Sequence, residues 1–411
     1  MSQIVNTAQN PIARDARAVP LRVPPQPATS TTHSQFVALA DIPADQWQAL
    51  SQQASEPSGF SLPDWEGAVD ALSQGRSCVS ALAAWAPVSG QPTLQLIGLI
   101  PTVSAWRAYR LPLPALATAD PYAPLATLLL DRDHADEAVA ALLHQARNTG
   151  AHALILRDVP MNGAAMNAFG RVLAAQGLRP RVLQSHQRAC LDATCEADGL
   201  LRDALGAKKF KELRRQRNRL AEHGQVTFTV AKTPQDAARA LEIFLALEAS
   251  GWKAQRGTSI LQDESNSAFI RRAVPRLAAR RQCEIIMLHA GETPVAAGIV
   301  LRHLNRAFYF KMGVDESFAK WSPGVQLTLE LTRHLCADPV IASADSTAAP
   351  NHPMIDPIWR GRIEIGDVLI PLRARDPLIT AIHAMLALRR AARIPARWAV
   401  HALRDLREKR S

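Results

Sequence analysis

Apolar positions along the chain switch repeatedly between a period of two and a period near 3.6, which predicts strands alternating with helices. Residues 1–33 are rich in Pro, Ser, Thr, Ala and Gln; such a stretch cannot bury a core and predicts a disordered tail. The first strand is expected at 35–39. Ser61-Leu62-Pro63-Asp64 opens a helix that carries Trp65, Val69 and Leu72. Residues 78–85 and 94–100 read as paired strands across a turn at Gly90. The spacing then predicts a strand over 126–130, a helix over 135–148, a strand at 153–156, a helix over 166–176 ended by Gly177, and a strand over 181–191.

Past Gly224 the alternation restarts. It predicts a strand at 226–230, helices over 234–250 and 265–280, a strand at 283–288, and a hairpin of 294–303 with 306–312 about Asn305. A loop, a helix beginning at Ser322-Pro323-Gly324, a strand near 340–344, a short helix near 354–360 and a strand at 363–370 complete the set. The first half reads as a rougher version of the same order, without a residue-level repeat. An α/β (α+β) chain of two similar domains is expected, 34–200 and 225–372. Each would be a mixed, mostly antiparallel sheet flanked by helices. A basic helix at 201–224 joins them and a basic helical tail covers 373–411.

Within the second half, 306–335 runs from an apolar strand through a loop into a helix N-terminus, an arrangement that offers free N–H groups to an anion. Ser322 suits a cap, Pro323 the first turn, and Gly324 the close approach of an anion to the backbone.

Composition narrows the class. The chain has 411 residues, 47% of them hydrophobic, enough for two cores. No apolar run reaches the roughly 20 residues of a membrane span, and the N-terminus lacks the apolar centre of a secretory signal. Five cysteines without a Cys-x-x-Cys pair argue against a disulfide framework or zinc ribbon and for a reducing cytoplasm. The net charge of +10 points to an anionic partner. It concentrates in two places. Lys208, Lys209, Lys211, Arg214, Arg215, Arg217 and Arg219 face only Glu212 and Glu222, either as a phosphate-binding helix or as a solvated connector. Arg389, Arg390, Arg393, Arg397, Arg404, Arg407, Lys409 and Arg410 interleave with apolar residues, which suits peripheral contact with a membrane or partner, or docking on the chain's own domain. No aromatic platform accompanies the charge, which weighs against nucleic acid. The sequence lacks Gly-x-Ser-x-Gly, Walker and zinc-ligand patterns, so hydrolase, NTPase and metalloenzyme chemistry are disfavoured.

The wording Leu247-Glu248-Ala249-Ser250-Gly251-Trp252-Lys253, Gly257-Thr258, Val314 through Gly324, and Trp359-Arg360 resembles the tandem-GNAT proteins of the cellulose-biosynthesis CelD type, a group related to the Fem peptidyltransferases. The resemblance spans about Phe36 to Leu372. It implies a GNAT acyltransferase fold, acetyl-CoA or another acyl-CoA as co-substrate, and an amine acceptor among cell-envelope or exopolysaccharide precursors. It implies that Phe310, Lys311 and Met312 hold the acyl-pantetheine arm, with Lys320, Ser322, Gly324 and Val325 at the pyrophosphate. The loop departs from the common pattern by keeping one glycine of two. The first half offers Leu111-Pro112-Leu113-Pro114 where amides would be needed, so the donor is assigned to the second half.

N-acyl transfer requires a neutral amine and a donor for the tetrahedral oxyanion. Candidate bases are Glu248, Asp345 and His352; the alternatives are pairing with Lys253, a turn cap and an exposed loop histidine. Tyr309 is a candidate proton donor to the thiolate. Trp252, Lys253, Arg214 and Arg215 are candidates for the acceptor. No metal is expected. A Fem-like transferase using charged tRNA and a non-catalytic protein on the same frame are the competing readings.

Overall fold

The computed structural model describes residues 32–72, 79–87, 93–119, 123–126, 128–250 and 260–408. The expected N-terminal tail, Cys78, Gly90, and the Gly251-Trp252-Lys253 and Gly257-Thr258 motifs lie outside them.

The strands of the first half are β1 (His33–Ala38), β2 (Ser80–Pro87), β3 (Leu94–Ser104), β4 (Ala115–Thr118), β5 (Leu129–Leu130), β6 (Ala153–Pro160) and β7 (Arg181–Asp192). Those of the second are β8 (Val226–Ala231), β9 (Cys283–Ala290), β10 (Thr293–His303), β11 (Arg306–Val314), β12 (Ser343–Asp345) and β13 (Gly361–Pro371). All join one sheet in the order β1-β2-β3-β4-β6-β13-β7-β12-β11-β10-β9-β8, with β5 beside β3.

The pairing senses read the same from either edge. Three antiparallel pairs lead to a parallel pair, β4 with β6 in one half and β11 with β12 in the other. Antiparallel pairs then meet at the centre, where β13 lies between β6 and β7, and β7 between β13 and β12. This symmetry is the structural counterpart of the two similar halves read from the sequence. Each half gives one strand to the middle of the sheet.

Helices cover both faces, as buried inner strands require. In the first half α4 (Ala135–Asn148) and α5 (Ala164–Ala175) pack on β2, β3 and β6 through Val139, Leu142, Phe169 and Leu173. In the second half α7 (Pro234–Ser250) and α8 (Glu264–Ala279) cover one face through Phe244 and Phe269. The other face is covered by α9 (Pro323–Cys336) and α6 (Ala197–Leu220).

First-half elements also seal the second-half core. Trp65, from α2 (Pro63–Leu72), is fully buried and meets Phe269 and Phe310 edge-on at 4.8 and 5.0 Å. His303 of β10 bridges the halves: its Nδ1 accepts from the Ser58 amide and its Nε2 donates to the Ser51 carbonyl, both at 2.9 Å. The remaining helices are α1 (Ala44–Gln52), α3 (Ala105–Tyr109) and α10 (Pro377–Glu408).

Departures from the sequence reading have local causes. The helix expected near 354–360 is a set of turns, because Pro353 and Pro357 remove the amides a continuous helix needs. The strand expected over 126–130 shrinks to β5, since the Ala126 amide donates to Asp158 instead of joining a ladder. The basic helix is kinked at Gly206, whose φ of 71° is left-handed. It is also docked rather than solvated all round: Leu201, Leu213 and Leu220 are buried against α9 and its neighbours.

Candidate active site

The site forms where β11 and β12 diverge. The two strands pair in parallel only from Arg306 and Ser343 to Phe308 and Asp345. Beyond that, β11 continues to Val314 while the chain after β12 turns away through Ser346 and Thr347. The wedge between them is a cavity of about 390 Å³, walled by Tyr309–Val314, Ser346–Ala349, His352, Met354 and the end of α7 at Leu247 and Glu248.

A bulge shapes its floor. In the β10–β11 ladder Ile299 faces Lys311 and Val300 faces Tyr309, so Phe310 has no opposite residue. A bulge of this kind re-aims the strand and takes the extra residue out of the ladder. At the apex, the Thr347 hydroxyl donates to the Tyr309 carbonyl at 2.7 Å. Thr347 is itself left-handed, with φ 50°, and its amide donates to Asp345 Oδ1 at 2.8 Å.

Glu248 reaches the cavity because Gly313 lets α7 lie directly on β11. A Cβ at Gly313 would fall 2.7 Å from the Glu248 backbone nitrogen. The Glu248 side chain is 2% exposed, and its Oε2 accepts from the Ile260 amide at 2.9 Å. His352 also lines the cavity, half-buried, with the Met354 amide 3.4 Å from Nδ1.

Of the residues singled out from the sequence, the cavity brings together Glu248, His352, Phe310, Lys311 and Met312. Asp345 lies behind it, fully buried. Its Oδ2 pairs with Arg188 of β7 at 2.5 Å and lies 3.8 Å from Arg306, so it joins the halves of the sheet and holds Thr347 in place. Tyr309 has its hydroxyl buried beside Thr328 of α9, and burial pushes its pKa far up, so it keeps its proton.

Lys320, Ser322, Gly324 and Val325 follow β11 at the start of α9 and do not line the cavity. Lys320 is exposed and lies 4.1 Å over the Trp321 ring. Ser322 is left-handed at φ 54° and makes no side-chain cap bond, contrary to the capping role expected of it. Gly324 serves packing: a Cβ there would sit 2.8 Å from the Met312 methyl, so Met312 occupies the space an anion was expected to approach. Pro323 has no N–H, which leaves the amides of Gly324 and Val325 as first-turn donors.

Arg214 and Arg215 are exposed on α6, close to this start. The neighbouring Leu213 carbonyl accepts from Gln326 Nε2 at 2.8 Å, and Arg217 pairs with Glu330 of α9 at 2.8 Å. Trp252 and Lys253 are outside the described residues. Thr347, Gly313 and Arg188 were not singled out from the sequence. Only Thr347 carries a local signal there, as the second residue after Asp345 in a turn.

The corresponding wedge of the first half is closed. β4 and β6 pair from Ala115 and Ala153 to Ala117 and Ile155. The buried segment of Leu125, Ala126 and Leu128 then fills the space, leaving about 20 Å³ beside Glu56. Burial pushes the Glu56 carboxyl above its usual range, against the opposing pull of the Ala165 amide and Arg306. A broader groove of about 890 Å³ lies at the start of β4, lined among others by Trp106, Arg107 and Arg110. Among its described lining residues there is no carboxylate or imidazole to serve as a base for acyl transfer.

Residues 207–350 match the family model described as an acetyltransferase (GNAT) domain. The match covers most of the second half of the chain. The matched residues run from α6 through β12 and contain the cavity, apart from His352, Met354 and Ile355. A search of curated proteins returned no match. Among solved structures, FemX is similar at 12% identity over 85% of this chain and 100% of that one, with a TM-score of 0.53. L-PGS from Bacillus licheniformis follows at 14% identity, 84% and 96% coverage, and a TM-score of 0.48. A tandem GNAT protein from the clavulanic acid biosynthesis pathway has 14% identity, 84% and 100% coverage, and a TM-score of 0.38. Of these three, FemX superposes well enough to speak to the fold, over 85% of this chain. Among the described residues no cluster of three or more His, Cys, Asp or Glu is arranged to hold a metal.

Proposed function

We propose that this protein is an acyl-CoA-dependent N-acyltransferase whose donor site is the wedge between β11 and β12. The observation that carries the reading is the coincidence, in one cavity inside the GNAT domain, of a bulged strand edge and a buried carboxylate. The strand edge at Phe310–Met312 suits the amide-rich arm of an acyl-pantetheine. Its backbone would donate to the oxyanion as the amine adds to the thioester carbonyl. Glu248, or His352 in the same cavity, would take the proton that the amine loses. The thiolate of CoA leaves as the amide forms. The closed wedge of the first half supports placing the donor in the second. An amine on a cell-envelope or polysaccharide precursor remains the acceptor class we favour, on the resemblance in the sequence.

One observation favours a second reading. The exposed face of α6 brings Lys208, Lys211, Arg214 and Arg215 alongside the GNAT domain, and Met312 packs against Gly324 where a pyrophosphate would bind. A donor with a longer run of phosphates, such as charged tRNA, would use that face.

Calorimetry with acetyl-CoA tests the first reading. Micromolar to submillimolar binding is expected, and it should be lost in Ala349→Trp, which fills the cavity from an exposed position. No heat at millimolar acetyl-CoA overturns it. Binding of aminoacyl-tRNA with a steep salt dependence, weakened by Arg214→Glu with Arg215→Glu, would establish the second reading.

A further inference from the structure

The broad groove of about 890 Å³ at the start of β4 is built from first-half residues alone. Its lining crosses four neighbouring strands, with Phe36 on β1, Ser80 on β2, Thr102 on β3 and Leu116 on β4. Three strand spacings give it a span of about 14 Å. Two exposed aromatic rings mark it. Phe36 is 37% exposed and Trp106 of α3 is 55% exposed. Every other described Phe, Tyr or Trp side chain is buried or half-buried, and both exceptions line this one groove. Rings left in water forgo apolar burial, and two of them in one concavity point to a ligand that covers them.

One wall of the groove is stiff. Pro112 and Pro114 fix φ along the stretch from α3 to β4. The Leu113 and Ala115 amides donate back to the Leu111 and Leu113 carbonyls, each at 2.8 Å. A wall set before binding costs little ordering when a ligand arrives. The polar groups suit a ligand with many hydroxyls. Thr149 Oγ1 donates to the Ala146 carbonyl at 2.7 Å and keeps lone pairs to accept. Ser104 Oγ accepts from the Arg107 amide at 3.3 Å and keeps its proton to donate. Arg107 and Arg110 add positive charge, and the described lining holds no carboxylate against them. Arg110 is exposed.

We infer that this groove binds a short acidic oligosaccharide, with a sugar ring on Trp106 and uronate carboxylates on Arg107 and Arg110. The axial C–H bonds of a pyranose make an apolar face that packs on the negative face of an aromatic ring. Arginine meets a carboxylate with two parallel N–H donors. A single nucleotide has one base to stack and would leave much of a groove this long, with one of its two exposed rings, open. The chain's own residues 1–31 carry three arginines against one aspartate. They share the sign of the groove, which disfavours them as its occupant. No lining residue falls within residues 207–350 or in the donor cavity, so the inference does not depend on the acyl donor.

The test is calorimetry of the full chain with trigalacturonate and with maltotriose, a neutral chain of the same length. The expected result is submillimolar binding of trigalacturonate, weakened by salt, with maltotriose at least about tenfold weaker. Trp106→Ala and Arg110→Gln should each weaken trigalacturonate by about tenfold or more. Their thermal melts should change little, since both side chains are exposed. Ala349→Trp, which fills the donor cavity, should leave trigalacturonate binding as it is. No heat with trigalacturonate at millimolar concentration overturns the inference. So does maltotriose binding of equal strength, and so does binding that Trp106→Ala or Arg110→Gln leaves untouched. Loss of binding in Ala349→Trp would place the sugar in the donor cavity and overturn it as well.

Discussion

Asp345→Asn separates two roles for a residue that looks like a base in the sequence. In the structure its carboxylate is fully buried and 2.5 Å from the guanidinium of Arg188, which is 2% exposed. Asparagine keeps the shape and can still accept from the Thr347 amide, but it leaves a buried guanidinium without its counter-charge. Removing one partner of a buried pair costs about 3–5 kcal/mol, because the remaining charge stays desolvated. Neither side chain is more than 3% exposed, so no reduction for solvent screening applies. The assay is equilibrium unfolding in guanidinium chloride, followed by tryptophan fluorescence. Arg188→Met in the same background should recover most of the loss, since an apolar replacement of a whole buried pair is often close to neutral. Two results would refute the clamp. One is Asp345→Asn within about 0.5 kcal/mol of the parent protein. The other is unchanged stability with transfer activity lost, which would return Asp345 to the role of base.

His303 predicts a pH dependence. Burial lowers its pKa from 6.5 to about 4, and its bonds to Ser58 and Ser51 require the neutral ring. The unfolded chain binds the proton first, so this contribution is complete above about pH 6.5 and is lost as pH falls through about 4. About 3 kcal/mol follows from a shift of that size, and His303→Gln should flatten the unfolding midpoint over that window. Glu248→Gln should lower turnover with an acyl-CoA and a suitable amine by about 100-fold while leaving CoA affinity unchanged in calorimetry. Equal turnover would move the base to His352. Gly313→Ala places a methyl against the Glu248 backbone and should destabilise by about 1–3 kcal/mol in denaturant melts, with turnover falling further than stability. Trp65→Ala should cost about 3–5 kcal/mol by the same melts, because its ring seals the second-half core against Phe269 and Phe310.

How far these features can be read from the sequence depends on how local their causes are. Helix α4 was legible to its ends, since its apolar period lies within its own residues. The hairpin of β10 and β11 was legible for the same reason. Phe310 through Met312 were singled out through the resemblance to GNAT proteins, whereas the parting of β11 from β12 that makes the wedge carries no signal in the sequence. Strand β4 was hidden, because four residues after Pro112 and Pro114 carry no period of their own and are a strand only beside β3 and β6. Asp345 shows the limit most clearly. Its partner Arg188 is 157 positions away on another strand, so an acid at a strand end could equally be base, cap or clamp. Gly324 was read as room for an anion against the backbone when it is a contact with Met312, and a glycine alone does not say which.

The place of β13 bears on how the chain comes into being. Ile365 pairs with Pro160 and Ile363 with Arg188, across roughly two hundred residues of intervening polypeptide. While the protein is being made, β6, paired only with β4, and β7 emerge with unpaired edges and wait for a strand some two hundred residues further on. The first half cannot mature ahead of the second, as modules of a bead-like protein do. Both are committed together once residue 371 has left the ribosome. Contacts this distant slow folding and prolong the exposure of unpaired edges. A truncation before Gly361 removes β13 from between β6 and β7 and should yield aggregate in place of a working half.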